Sequence, residues 1–275
     1  MSKNSTAASA MTWEQAVDWL KSQPQHTALT KACFYDDPLI EAAQRYSVST
    51  EWQAVRHLLK GLSGKALDIG AGRGISSYAL AKDGWSVTAL EPDPSASVGA
   101  GAVRQLAVEA DISINVVQEW GEKLPFASGE FDLVYCRAVL HHADDLNALC
   151  IEAARVLREG GMMIATREHV LTNHGELQRF LRAHPLHDLY GGEHAYLLPE
   201  YTGALEQAGF EIKQILNPYA SDINLFPMTQ AELKQKWARK WRLPISTLIP
   251  QSALIYFGER NRLPGRLYSF VAQKS

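Results

Sequence analysis

The sequence predicts an α/β fold built on one mostly parallel sheet with helices on both faces. Three observations carry this. From Lys65 onward, short apolar runs alternate with helical patterns, which demands crossover connections between parallel strands. The first apolar run, Lys65-Ala66-Leu67-Asp68-Ile69, ends directly in glycines. The 275 residues are 46% hydrophobic and 21% charged, enough to bury a large core.

The elements follow in order. Thr12-Trp13-Glu14-Gln15 fits a capping box, with Ala16, Val17 and Leu20 at helical spacing behind it. Helical patterns continue through Ile40–Arg45 and Glu51–Leu62. The strand at 65–69 comes next, then a helix Ile75–Lys82 and a second strand Trp85–Leu90. A helix at Val98–Ala110 leads to a strand at Ile114–Val117, and Phe131–Cys136 is the fourth strand. The helix Leu146–Leu157 and the strand Met162–Thr166 follow. The rhythm then breaks for about thirty residues rich in His, Gly and Tyr. It resumes with a helix over Pro199–Ala208, where Pro199 suits the first turn and Gly209 the stop. The strand Phe210–Leu216, a second irregular stretch from Asn217 to Pro264 and the strand Leu267–Ala272 complete the reading. The organisation expected is an N-terminal helical cap over residues 1–64 and one sheet domain over 65–275, with insertions at 167–198 and 217–264.

Composition excludes some functions and selects none. Twenty-seven Lys+Arg against 30 Asp+Glu give a net charge of −3, which argues against a general nucleic-acid binder. Cys33, Cys136 and Cys150 form no disulfide framework or metal knuckle and read as small buried hydrophobes in a reducing compartment. Residues 1–10 are polar and small, without the apolar core of a signal peptide, and read as a frayed end. No segment approaches a membrane span. The expected location is cytoplasmic.

The segment Asp68-Ile69-Gly70-Ala71-Gly72-Arg73-Gly74 is the most informative. Glycines after a buried strand let the backbone turn tightly and approach a ligand. The spacing is GxGxG, with Ile75 where a dinucleotide fingerprint wants its third glycine, which disfavours a nicotinamide-dependent oxidoreductase. Asp68 can order the loop or accept hydrogen bonds from a cationic ligand. Glu91 ends the next strand about twenty residues on, where a carboxylate can accept both ribose hydroxyls of a nucleoside. Together these suit a nucleoside that brings positive charge rather than a pyrophosphate.

The stretch from Lys65 to Thr166 resembles the class I S-adenosylmethionine-dependent methyltransferases of the small-molecule type. Beyond the loop, the resemblance rests on Gly121-Glu122-Lys123-Leu124-Pro125-Phe126, Phe131-Asp132-Leu133-Val134-Tyr135-Cys136, Leu140-His141-His142 and Leu157-Arg158-Glu159-Gly160-Gly161, in that order. It implies a Rossmann-like sheet of seven strands with the last antiparallel, S-adenosylmethionine as cofactor, and methyl transfer to a small-molecule acceptor. It also implies roles. The backbone of Gly70, Ala71 and Gly72 would lie against methionine and ribose, and Glu91 would hold the ribose hydroxyls. Trp120 and Gly121 would border the adenine, and the backbone near Arg137 would meet the methionine amino group. Trp120 stands where the family often has an acidic residue, so it is either an adenine-stacking ring or a core tryptophan.

The acceptor should face the ends of the fourth and fifth strands. Arg167-Glu168-His169 follows the fifth strand, and His174, His184, His187 and His194 come soon after. A histidine base suits a hydroxyl acceptor, so O-methylation is expected over N-methylation. His169 is the first candidate, with His184 and His187 behind it, and Arg167 could pair with an acidic substrate group. Glu168, His169, His184, His187 and His194 include metal-ligand types, but His184-x-x-His187 lacks the helical zinc spacing, and no metal is assigned. His141 and His142 are expected to shape a turn, with Asp144 or Asp145 capping the next helix. Tyr46 is either a lid residue at the sulfonium or core. The stretch Lys234–Arg242 carries five positive charges and two tryptophans. It reads as a solvated helix face; a membrane surface or an acidic, carrier-linked acceptor is the alternative. A non-catalytic partner subunit, and non-methyl chemistry on the same cofactor, fit the cofactor motifs equally well.

Overall fold

The computed structural model describes residues 11–183 and 186–275. The frayed end expected over residues 1–10 lies outside them.

Four helices precede the sheet: α1 (Trp13–Ser22), α2 (Thr27–Ala32), α3 (Leu39–Ser47) and α4 (Thr50–Leu58). The capping box at α1 is reciprocal, Gln15 N–H to Thr12 Oγ1 and Thr12 N–H to Gln15 Oε1. The sheet then alternates with helices: β1 (Lys65–Ile69), α5 (Ile75–Lys82), β2 (Ser86–Leu90), α6 (Ala100–Glu109), β3 (Ile114–Val117), β4 (Phe131–Arg137), α7 (Leu146–Val156) and β5 (Leu157–Leu171). Asp145 caps α7 by accepting the Ala148 N–H. Next come α8 (Leu177–Ala183), α9 (His187–Tyr190), β6 (Tyr196–Leu197), α10 (Leu198–Gln207), β7 (Phe210–Leu216), α11 (Asp222–Leu225), α12 (Gln230–Trp241), α13 (Gln251–Glu259) and β8 (Arg266–Lys274).

The strand order is β3-β2-β1-β4-β5-β8-β7. β1 to β5 run parallel, and β8 lies antiparallel between β5 and β7. This is the Rossmann-like class I methyltransferase arrangement. It differs from the sequence expectation at β6 and at both ends of β5, which begins at Leu157 rather than Met162. An eighth strand, β6, pairs with the far end of β5; two residues leave no readable period. β5 itself runs five residues past Thr166, through a register shift between Ala165 and Glu168 where Arg167 has φ +61°. That kink interrupts the apolar alternation, so the sequence suggests an end where the strand only bends. Glu168 and His169 therefore sit on the sheet.

Alternation along the strands fills two core layers. Leu67, Ile69, Val134 and Cys136 face α7 and α10. Ala66, Leu133 and Tyr135 face the other way, toward α3, α4 and α5. Cys136 and Cys150 are buried, and burial pushes the Cys150 thiol up to about 12, as suits inert packing residues. No helix among the described residues is long and apolar enough to cross a membrane.

Candidate active site

Most of the expected cofactor residues gather at the ends of β1 and β2. Gly70 has φ +63° and Gly72 φ +53°, the left-handed region that glycine adopts at no steric cost. A Cβ on Gly70 would come within 2.7 Å of the Val139 side chain, so the loop is pressed against the turn after β4. At Gly72 a Cβ would meet only the Val98 carbonyl oxygen, at 3.8 Å, so this face of the loop opens onto space. Ala71 donates its N–H to the Leu90 oxygen at 3.1 Å, locking the loop to β2.

Asp68 is buried at the end of β1. Its Oδ2 accepts the hydroxyls of Ser76 and Ser77 at 2.7 and 2.6 Å, and its Oδ1 has no hydrogen-bond partner among the described residues. Burial pushes its carboxyl up to about 6 although both serines pull it down. A buried acceptor left without a donor fits a cationic ligand arriving there. Glu91, also buried, accepts the Gly72 N–H at 2.7 Å and the Asp93 N–H at 2.9 Å; burial again dominates and pushes it to about 7. Gly121 is buried against Leu149 and Ile69. Trp120 is 66% exposed, so it is no core tryptophan and its ring is open to a ligand.

The N-terminal helices are tied to the sheet by two arginines, Arg73 in this loop and Arg137 at the end of β4. Arg73 donates to the Phe34 and Asp36 oxygens and pairs with Asp37. Arg137 forms a buried two-point pair with Glu51 on α4, at 2.6 and 3.0 Å, and its guanidinium lies over the Tyr46 and Phe34 rings. Tyr46 is fully buried with its hydroxyl 3.3 Å from that of Tyr135, so it belongs to the core between cap and sheet. Sequence reading gave Arg73 no role; its place inside the glycine motif was the available signal.

On the acceptor side, His169 lies on the extension of β5. Its Nδ1 is 2.9 Å from the Gly265 carbonyl oxygen. A carbonyl only accepts, so Nδ1 carries the proton and Nε2 the lone pair of the neutral ring. His141, in the single turn Leu140–His142 after β4, is buried with Nδ1 2.6 Å from Glu168 Oε2. Glu168 is wholly buried and also accepts the Val139 and His141 N–H groups at 3.1 Å each. Burial outweighs these donors and pushes its carboxyl up to about 7. The two imidazoles meet edge to face, 4.7 Å between centroids. Glu193 arrives from the connection between α9 and β6, with Oε2 4.0 Å from His141 Nε2. The structure therefore gathers His141, His169 and Glu193 at one pole.

The other histidines fall elsewhere. His187 begins α9, half-buried, outside that cluster. His184 lies outside the described residues. His174 is exposed, 3.5 Å from Glu200. In the sequence, His141 and His142 read chiefly as turn formers, with a catalytic role as the weaker alternative. The available signal was a histidine just past β4 and a glutamate just past the paired end of β5, where Arg137 registers with Thr166.

A glycine loop at β1 and β2, beside a polar pole at the ends of β4 and β5, is the arrangement expected of a class I methyltransferase. Comparison with known proteins agrees. Residues 67–165 match the family model described as a methyltransferase domain. A ubiquinone biosynthesis O-methyltransferase of Pseudomonas aeruginosa is 30% identical over 196 residues, 62% of this chain and 81% of that protein. A geranyl diphosphate C-methyltransferase from Streptomyces coelicolor, solved with Mg2+, geranyl diphosphate and S-adenosyl-L-homocysteine, superposes with a TM-score of 0.60 over 92% of this chain and 86% of its own, at 17% identity. The 4+2 cyclase SpnF superposes at 0.55 over 86% and 80%, at 19% identity. The last two likenesses establish the fold alone. The chain belongs to the class I S-adenosylmethionine-dependent methyltransferases; it is an enzyme of that class, and S-adenosylmethionine is its cofactor.

Proposed function

We propose that the chain moves the methyl group of S-adenosylmethionine to an oxygen atom of a small-molecule acceptor, activated at the pole of His141, His169 and Glu193. The observation that carries this reading is the pair of imidazoles with Nδ1 engaged by Glu168 and by the Gly265 carbonyl. Such second partners orient each ring and leave Nε2 as the basic nitrogen. Amines can be methylated without a base, whereas a hydroxyl must lose its proton as the oxygen attacks. The Pseudomonas relative, named for O-methylation, supports the same atom.

In this reading the cofactor lies along Gly70, Ala71 and Gly72. Its ribose hydroxyls meet Glu91, its adenine borders Trp120 and Gly121, and its amino group faces the turn near Asp68 and Arg137. The sulfonium supplies a methyl carbon open to in-line attack, and the protein's task is alignment and exclusion of water. Residues 1–64 act as a cap over the domain 65–275, with 167–198 and 217–264 as insertions that shape acceptor choice. His169, or His141 backed by Glu168, takes the hydroxyl proton when no ion is bound. The Val139 side chain against Gly70, two residues before His141, supports adjacency of pole and cofactor.

The test is to incubate the purified chain with S-adenosylmethionine and parallel sets of phenols, catechols, carboxylic acids and amines. Products are read by mass for the gain of one CH2, alongside S-adenosylhomocysteine. Transfer to hydroxyl acceptors is expected. Transfer confined to amines would overturn the oxygen reading.

A further inference from the structure

We propose that His141, His169 and Glu193 are the ligands of a divalent transition-metal ion, of the zinc type, bound at the acceptor end of the sheet. The three side chains come from three separate segments: the turn after β4, the extension of β5, and the connection before β6. One ligand atom of each lies within 4.8 Å of the others, and the set is buried or half-buried. Two imidazoles and one carboxylate match the three-ligand set of catalytic zinc sites, which leave a further position open.

The groups behind the ligands make the case stronger than proximity alone. A metal-binding histidine characteristically donates its other ring N–H to a carboxylate or a backbone carbonyl. Both forms are present. His141 Nδ1 is held by the Glu168 carboxylate, which is itself fixed by two backbone N–H groups. His169 Nδ1 is held by the Gly265 carbonyl. With Nδ1 held in this way, Nε2 is the nitrogen with which each ring would ligate an ion. The Glu193 carboxylate has an orienting partner too, since Tyr190 donates its hydroxyl to Oε1, leaving Oε2 as the edge toward His141. A separation of 4.0 Å between that oxygen and His141 Nε2 is long for a hydrogen bond. Around an ion with bonds of about 2.0–2.2 Å, ligand atoms stand roughly 3–3.5 Å apart, so small side-chain rotations close the set. A hard cation such as Mg2+ prefers all-oxygen ligands and is a poor match for two imidazoles.

The consequence for chemistry rests on the oxygen-acceptor reading. A hydroxyl entering the open position gives up its proton to solvent at neutral pH, because the cation stabilises the oxyanion. That oxygen then forms its bond to the methyl carbon as the carbon–sulfur bond breaks. The electron pair goes to sulfur, and the products are the methyl ether and neutral S-adenosylhomocysteine.

The test uses the tag-free full chain, stripped with chelator and dialysed. Zinc is titrated by calorimetry, and cobalt by its visible absorption, with magnesium in parallel. One zinc per chain at micromolar affinity or tighter is expected, with cobalt bands of four- or five-coordinate strength and no matching heat from magnesium. Glu193→Gln and His169→Ala should each weaken zinc at least 10-fold. Glu168→Gln, a positioning change, should weaken it about 10- to 100-fold. S-adenosylmethionine affinity and thermal melting of each variant confirm the fold. Zinc binding that is absent, or unchanged in Glu193→Gln and His169→Ala with the fold intact, overturns the site. Metal binding is read without turnover, so zinc bound by a chain that methylates only amines would fail the oxygen reading and leave the site standing.

Discussion

The two halves of the sheet are built on different logics. On the β1–β2 side, most of the cradle comes from short stretches: Asp68 to Gly74 is the end of β1 and the loop after it, and Glu91 directly follows β2. On the β5–β8 side, the pole is assembled from residues 141, 168, 169, 193 and 265, which share no local pattern. In the proposed function the first half would hold the cofactor largely with backbone geometry, and the second would hold the acceptor with side chains from distant segments. A scaffold can keep the first constant while insertions alter the second.

That contrast predicts separable failures. The largest effect should come from His169→Ala, lowering kcat about 10²- to 10⁴-fold while the Kd for S-adenosylmethionine stays within about twofold. Rapid-quench turnover and calorimetry read the two numbers. A comparable loss of cofactor affinity would mean that the halves are one site. Gly70→Val should do the converse, since a side chain there collides with Val139 and strains a positive φ. Cofactor affinity should fall about 100-fold or more, equivalent to about 3 kcal/mol, with the chain still folded by circular dichroism.

The joint between the N-terminal helices and the sheet can be loosened separately. Glu51→Gln removes the charge facing buried Arg137. It should cost about 3 kcal/mol of stability in denaturant unfolding, because a buried cation loses its counter-charge. Arg137→Met combined with Glu51→Leu should recover part of that loss.

A smaller effect belongs to the cradle alone. Glu91 titrates near 7 in the folded chain, above the ordinary carboxylate range. For folding, a raised carboxyl contributes stability below its unfolded value, and this is lost as pH rises through 7. For cofactor binding the sign reverses, because ribose hydroxyls donate best to the ionised form. Affinity should drop roughly tenfold between pH 8 and pH 6, and Glu91→Gln should flatten the profile at a lower affinity. The smallest expected change is at the surface of α12. There the Trp237 and Trp241 rings lie 5.3 Å apart, tilted to each other, and both lean on Phe257 of α13. Lys240→Ala should alter stability by less than about 0.5 kcal/mol.

The sequence discloses the cradle half well for a physical reason. Tight turns, helix caps and buried strands impose residue types at fixed short spacings, so the Thr12 capping box, helix α5 and the Gly70 loop are readable one stretch at a time. His169 stands out in the sequence beside the fifth strand, which in the structure continues through it. The partnership of His141 with Glu168 does not, since it depends on β4 and β5 lying side by side in register. Glu193 depends on where a connection folds back, which neither period nor motif encodes. The kink at Arg167 hid the last five residues of β5 by breaking the alternation that marks a strand.

The position of β8 carries a consequence for how the molecule comes into being. It is made after every other strand, yet it sits inside the sheet, and β7 pairs only with it. The Gly265 carbonyl that fixes His169 lies immediately before it. During vectorial synthesis the cradle half has all its strands while β7 still lacks a neighbour and His169 its anchor. Until β8 is added, the edges of β5 and β7 that it pairs with stay open, and an unpaired strand edge is a template for association.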